Sequence, residues 1–325
     1  MRIGLVDVDG HNYPNLALMK ISAWHKSKGH EVMFADLFHT FDVVYKSKVF
    51  TWTEDDPFCY DADEIQKGGT GYGDYTKVLP EEIEHMMPDY SLYGIDHAMG
   101  FTTRGCIRHC PFCLVHDKEG MLHAHADIQE FLGDKKKVVL LDNNIVASRH
   151  GIRQLEYCRD NGIAVDCDQG MDARILCKSE TLCNLVADIP PFGTKGIRIA
   201  CDLEDEIEPC HKTIQAILAR NPKASFVVYC ILTDDYEDSV RRVLEWRKYG
   251  HRVAVYAPPY RDFDNPRQVI PRWQRDLSRW ASNHYVYYSC NWEDYGRLQN
   301  KRKREDEIVR PWYAVELFSE EVVNG

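Results

Sequence analysis

The sequence predicts an α/β protein built as two units with a C-terminal extension. Three observations carry this. From about residue 93 onward, short apolar runs alternate with segments of helical period, six runs with five helices between them, which is the pattern of a parallel sheet with right-handed crossovers. Residues 1–92 show a shorter alternation of the same kind, suited to a small open α/β unit. At 325 residues, with 44% hydrophobic and 28% charged residues, the chain has the length and composition of one large or two ordinary globular domains.

In the first unit, Ile3–Val6 predicts a strand and Asn15–Lys28 a helix, with Leu16, Met19, Ile21 and Trp24 at helical spacing. Gly29-His30 ends that helix, and Glu31–Phe34 predicts the second strand. Asp42–Tyr45 and Val49–Trp52 are apolar runs suited to further strand. The run Gly68-Gly-Thr-Gly-Tyr-Gly73 predicts either a turn needing positive φ or a ligand-facing loop, and Pro80–Met87 predicts a helix.

In the second unit, residues 93–260, strands are expected at Gly94–Met99, Lys137–Leu141, Ala164–Asp168, Gly196–Ala200, Ser225–Ile231 and Arg252–Ala257. Helices are expected near Ala126–Leu132, Arg149–Asn161, Ser179–Ala187, Pro209–Arg220 and Asp235–Tyr249. In the extension, residues 261–325, Trp273, Leu277 and Trp280 recur at i, i+4 and i+7, which predicts a helix face docked on the second unit. Tyr285-Val-Tyr-Tyr288 and Trp292 add further aromatics there.

Charge and cysteine content narrow the function classes. A net charge of −11 disfavours general electrostatic capture of nucleic acid; the basic run Lys301-Arg-Lys-Arg304 is followed at once by Glu305, Asp306 and Glu307 and reads as a solvated helix face. No apolar run approaches membrane-spanning length, and the N-terminal Met-Arg-Ile-Gly-Leu-Val-Asp reads as a strand rather than a signal peptide, so a cytoplasmic protein with no membrane partner is expected. Most of the twelve cysteines are scattered singly and read as reduced core thiols.

Three cysteines are different. Cys106, Cys110 and Cys113 lie in Arg104-Gly-Cys-Ile-Arg-His-Cys-Pro-Phe-Cys113 with the spacing C-x3-C-x2-C. A structural zinc site calls for four ligands, here only with help from His109 or His116, and two-cluster ferredoxins use a different order of spacings; three unrelated buried cysteines with no metal are the remaining alternative. A [4Fe–4S] cluster on three thiolates keeps one iron open to a non-protein ligand. The loop also follows the first strand of the second unit, and βα architectures place their catalytic groups at the C-terminal ends of strands.

With Phe112 directly before the last cysteine, this run resembles the signature loop of the radical S-adenosylmethionine (radical SAM) enzymes. The resemblance implies a [4Fe–4S] cluster on Cys106, Cys110 and Cys113, S-adenosylmethionine chelated at the open iron, and an external one-electron donor of the flavodoxin or ferredoxin type. Reductive cleavage would then yield a 5′-deoxyadenosyl radical that abstracts hydrogen from a substrate. It implies for residues 93–260 an open six-stranded (β/α)6 partial TIM barrel. Residues 1–92 resemble the cobalamin-binding-type Rossmann domain that precedes many such barrels, through Pro14-Asn-Leu-Ala-Leu, Lys28-Gly-His-Glu-Val and the Gly-Gly-Thr-Gly loop. Asp9-Gly-His11-Asn12-Tyr13-Pro14 carries its histidine at a different offset from the cobalt-ligand motif Asp-x-His-x-x-Gly, so cobalamin is not expected.

The same resemblance assigns cosubstrate contacts to the strand ends. Asp142 or Asn143, in Leu141-Asp-Asn-Asn144, stands where the methionine amino group is held, or else caps a turn. Gln169, Asp172 and Arg174 form a Gln-Gly-Met-Asp-Ala-Arg run similar to one in other radical SAM proteins; the carboxylate would take ribose hydroxyls and the arginine a carboxylate, unless Asp172 and Arg174 simply pair. Asp202 ends the fourth strand, with Arg198 as its possible partner. Thr233, beside Tyr229 and Asp234, stands where adenine contacts occur or where a helix is capped. Tyr256 and Tyr260 are core or substrate-facing aromatics. Methyl or methylthio transfer, and a non-catalytic metal-stabilised binding protein, are the alternative outcomes; the substrate itself does not follow from these residues.

Overall fold

The computed structural model describes residues 1–10 and 12–299; His11 and the run Lys301–Arg304 lie outside them. The first unit has strands β1 (Arg2–Asp7), β2 (Glu31–Phe34), β3 (Thr40–Ser47) and β4 (Asp61–Gly68) and helix α1 (Leu16–Ser27). The sheet is parallel throughout in the order β2-β1-β3-β4. Asn15 fixes the start of α1: its side-chain oxygen accepts from Leu18 N at 3.2 Å while its amide donates to Ser47 Oγ at 2.9 Å. Ile3, Leu5, Leu18, Ile21, Val43 and Ile83 close the core beneath this helix.

Two expectations fail here. Val49–Trp52 is a turn rather than a strand, because the Asp9 carboxylate accepts from the backbone N–H of Val49 and Phe50 and from Thr53 Oγ1 (2.7 Å), which curls the chain. The fourth strand is instead the polar run Asp-Ala-Asp-Glu-Ile-Gln-Lys-Gly of β4, a largely exposed edge strand held by backbone pairing with β3. The Gly-rich run after it serves close backbone packing: Gly69 has φ +99°, and a side chain there would collide with the Lys48 carbonyl. Helix α2 is only Glu81–Glu84.

The second unit has a strand within or overlapping each of the six expected runs, as β5 (Ala98–Gly100), β8 (Lys137–Leu140), β9 (Ala164–Cys167), β11 (Ile197–Ala200), β12 (Phe226–Tyr229) and β13 (Val253–Tyr256), although residues 94–97 are turn and bend rather than strand. The short β6 (Thr103–Arg104) and β7 (His123–Ala124) form an antiparallel pair, and β10 (Met171–Asp172) is a further short strand. Helices α3 (Val115–Glu119), α4 (Gln129–Leu132), α5 (Arg149–Asp160), α6 (Ala173–Leu176), α7 (Glu180–Asp188), α8 (Ile207–Arg220) and α9 (Tyr236–Leu244) alternate with them, followed in the extension by α10 (Arg272–Ser282), α11 (His284–Ser289) and α12 (Trp292–Gln299).

The six strands are divided between two parallel sheets, β5-β8-β9 and β10-β11-β12-β13, and no barrel closes. The division falls where β10 takes the upper edge of β11, through Met171↔Ile199 and Asp172↔Ala200, while Val165 of β9 makes a single bridge to Pro191. One large core joins the helices to both sheets and includes Leu140, Phe226, Trp246, Leu277 and Trp280. Leu277 and Trp280 are fully buried, so the apolar stripe of α10 is a docking face. The two units meet where Met19 packs with Met99 and Val139, and where Tyr93 donates to Asp7 Oδ2 at 2.6 Å.

Candidate active site

The three cysteines occupy the loop between β6 and α3, a few residues beyond the C-terminal end of β5. Two carboxylates shape this loop. Asp142, just past β8 and 2% exposed, accepts from Thr103 N (2.5 Å), Thr102 Oγ1 (2.6 Å), Thr103 Oγ1 (2.7 Å) and Thr102 N (3.1 Å). Burial pushes its pKa up, and the four donor groups oppose that shift. Glu119, at the end of α3, accepts from Gly105 N (3.0 Å), Asn143 Nδ2 (2.8 Å) and Arg104 Nη1 (3.2 Å), closing the loop at its base. Gly105 has φ +74°, and a side chain there would meet the carbonyls of Gly120 and Met121 at 2.6 and 2.5 Å, so the loop admits only glycine at this point.

The thiols then line up with groups from the later strands. Cys106 is buried, Cys110 half-buried and Cys113 more open. Burial raises the Cys110 thiol pKa, with Cys113 and Glu206 adding to it and Arg174 opposing. Burial also raises Cys113; the Val115 backbone N–H opposes, while Cys106, Asp202 and Glu119 add to the rise. The cysteine loop is therefore electrostatically coupled to Arg174, Asp202 and Glu206.

A chain of ion pairs connects them. Arg108, inside the loop, donates to Asp172 Oδ2 at 2.8 Å; Asp172 Oδ1 accepts from Arg174 Nε at 3.1 Å; Arg174 reaches Glu206 Oε1 at 2.8 Å. Burial works against ionisation of Asp172, but the hydrogen bonds from Arg108 and Arg174 outweigh it and hold the carboxyl below its usual range. Glu206 and Asp202 are shifted the other way, chiefly by burial. Asp202 Oδ1 accepts from Ile231 N at 2.8 Å.

Asp142, Asn143, Asp172, Arg174 and Asp202 are thus brought around the cysteine loop, and Phe112 lies half-buried within it. Gln169 is exposed and makes only a 3.5 Å contact with Asp168. Thr233 is engaged at the start of α9, its hydroxyl accepting from Asp235 N at 3.4 Å and its N–H donating to Ser239 Oγ at 3.2 Å. Arg198 does not pair with Asp202. It forks onto Asp166 of β9 instead, with Nε–Oδ1 at 2.5 Å and Nη2–Oδ2 at 2.8 Å, while Asp202 is taken by the Ile231 backbone N–H.

Sequence reasoning passed over Asn144, Arg108, Glu119 and Glu206. Asn144 is the most informative of them. It is 3% exposed, its amide donates towards Cys106 Sγ (3.7 Å) and Asp172 Oδ2 (3.3 Å), and its side-chain oxygen is buried with no hydrogen-bond partner among the described residues. Its place in the Leu141-Asp-Asn-Asn144 run was the available signal; Glu206, inside an acidic run, gave none.

Among the described residues, no group of three or more His, Cys, Asp or Glu side chains converges as a ready metal site. The donor set is compatible with an iron–sulfur cluster: three thiols share one loop, and N–H groups of Arg108 (3.4 Å) and Asn144 (3.7 Å) donate towards Cys106 Sγ, the kind of hydrogen bond that tunes cluster sulfurs. Comparison with protein families finds no family model that matches the chain, and comparison with curated proteins finds no match.

Proposed function

We propose that this chain is a radical SAM enzyme, with residues 93–260 forming an open partial barrel and Cys106, Cys110 and Cys113 holding a [4Fe–4S] cluster at its rim. The observation that carries this reading is the orphan oxygen of Asn144 beside the buried thiol of Cys106. A buried amide oxygen without a donor costs about 1–3 kcal/mol, and a ligand that donates to it there would remove that cost, which supports the reading. When bound, the reduced cluster would supply the electron that cleaves S-adenosylmethionine to methionine and a 5′-deoxyadenosyl radical.

The protein's own part is positioning. Asn144 offers an acceptor to the methionine amino group, with Asn143 held beside it by Glu119. Arg174 offers its guanidinium to a carboxylate, while Asp202 is the acceptor available to ribose hydroxyls. Arg108 anchors the loop through Asp172, so the three thiols are presented from a braced segment. Asp142 fixes the strand before the loop without entering the site.

The test is anaerobic reconstitution with iron and sulfide, metal analysis, and incubation with dithionite and S-adenosylmethionine. The expected result is a brown protein with about four irons per chain that releases 5′-deoxyadenosine, lost on Cys110→Ala. A colourless chain binding a single zinc, or a fully loaded cluster that releases no 5′-deoxyadenosine, would overturn the proposal.

A further inference from the structure

The inward faces of β9, β11, β12 and β13 carry a polar cluster that the site above does not use. On β9 the Asp166 side chain is fully buried and forks onto Arg198, and Lys195 reaches the same carboxylate at 2.7 Å from the turn before β11. Arg198 also donates to the hydroxyl of Tyr229, which itself donates to the Asp168 carbonyl at 2.8 Å. The charge of Arg198 is engaged by this buried set.

Beside it, Asp168 meets one open tyrosine directly, and a second packs on the Tyr229 ring whose hydroxyl binds the Asp168 carbonyl. Tyr13 crosses from the first unit, and its hydroxyl donates to Asp168 Oδ2 at 3.1 Å; Tyr256 packs edge-on against Tyr229 with ring centroids 5.5 Å apart. Tyr13 is 50% and Tyr256 43% exposed, while the Asp168 carboxylate keeps 19% of its side-chain surface. Among the described residues Asp168 Oδ1 receives only Arg198 Nη1, a long ion pair at 3.3 Å, so acceptor capacity remains on that oxygen. Four residues further along, Asp172 binds Arg108 of the cysteine loop, which places this rim beside the candidate cluster site.

A carboxylate with acceptor capacity to spare attracts cationic nitrogen through charge, and exposed tyrosine rings in its neighbourhood add to that through their quadrupoles. The −11 net charge of the chain points the long-range field the same way. We infer that Tyr13, Asp168 and Tyr256 form a recognition subsite for a substrate bearing a cationic nitrogen, an amine or a guanidine. As a substrate subsite it rests on the enzymatic reading proposed above. It also gives the first unit a role, since Tyr13 completes the subsite.

The test is an NMR or calorimetric titration of the full chain, without cluster or cosubstrate, at low ionic strength. Benzyltrimethylammonium is the cationic probe, with benzoate and benzyl alcohol as anionic and neutral counterparts. The cation is expected to saturate and the other two not. Asp168→Asn should weaken it about tenfold or more, and Tyr256→Leu, at an exposed ring, about threefold. n-Butylamine beside an N-acetyl-lysine amide then separates a free amine from a peptide-borne one, and saturation by either supports the inference. Equal binding of benzoate, no saturation by the cation, or an unchanged affinity in Asp168→Asn would overturn it; should Asp168→Asn melt below wild type, Tyr256→Leu decides by the same criterion. Because the titration needs no cluster, its failure is distinct from failure to release 5′-deoxyadenosine.

Discussion

Arg108 Nε lies 2.8 Å from Asp172 Oδ2, so a residue inside the cysteine loop is tied to the strand that edges the second sheet. The two partners differ in setting: the Asp172 side chain is 7% exposed and that of Arg108 33%. Asp172 also serves Arg174 and caps α6 through Arg174 N, so removing it takes the carboxylate from Arg108, one of two from Arg174, and the cap from the helix. Asp172→Ala is expected to cost about 2–3 kcal/mol, since it removes two ion pairs and a helix cap, whereas Arg108→Ala should cost about 1 kcal/mol. Urea denaturation of the two variants checks the asymmetry; equal losses would show that the clamp is a surface pair.

Glu84 joins the two units to the same loop. Its carboxylate takes Lys20 Nζ at 2.9 Å, His125 Nε2 at 3.0 Å and Arg104 Nη2 at 3.1 Å. Burial opposes its ionisation, but these three partners hold its pKa far below the usual carboxylate range. The folded-state pKa is depressed, so the stability this confers is full above the unfolded value of about 4.5 and is lost only as pH falls toward the depressed one. Glu84→Gln is expected to destabilise the chain by about 2–4 kcal/mol at pH 7, since the Lys20 side chain, 7% exposed, loses its counter-charge. Thermal melts at pH 7 and pH 3 check this, with the difference between wild type and variant shrinking at the lower pH.

His25 acts in a different pH window. It is 3% exposed, lies 2.8 Å from His30 Nδ1 and 3.1 Å from Tyr45 OH, and burial together with the His30 charge lowers its pKa to about 4. The unfolded chain takes up this proton near pH 6.5 and the folded chain only near 4, so the unfolded state binds more protons between those values. Stability is therefore full above about pH 6.5 and declines as pH falls to about 4. In His25→Gln the decline across that window should flatten, read as the melting temperature against pH.

The regular part of the fold was legible because apolar strand runs and capped helices announce themselves. Glu31–Phe34 and Arg149–Asp160 fall within a residue or so of where period and caps put them. Strand β4 was not legible, since Asp61 to Gly68 has no apolar alternation and exists through pairing with its neighbour. The cysteine loop was legible from spacing alone, but its bracing was not. Glu119 and Glu206 sit in charged surroundings along the chain, and only the fold shows that one closes the loop and the other meets Arg174. Arg198 shows the converse: nearness in sequence suggested Asp202, while the approach of β9 to β11 in the fold delivered Asp166.

Asp142 is the residue on which the placement of the loop most depends. Its Oδ1 accepts from the amide and hydroxyl of Thr103 and from the Thr102 hydroxyl, and its Oδ2 from Thr102 N at 3.1 Å. Those two residues carry the chain from β5 into β6, so the carboxylate sets where the cysteine loop begins. In Asp142→Asn one oxygen becomes an NH2 group; whichever way the amide turns, a donor then faces a backbone N–H. A buried donor left unsatisfied costs about 1–3 kcal/mol, and Asp142→Leu, which removes both acceptors, should cost more than Asp142→Asn. The distinguishing readout is local: amide exchange at Thr102 and Thr103 should accelerate in both variants while β12 and β13 stay protected, and iron incorporated on reconstitution should fall in the same order. Exchange that accelerates evenly across both sheets would instead make Asp142 a general core residue with no particular hold on the loop.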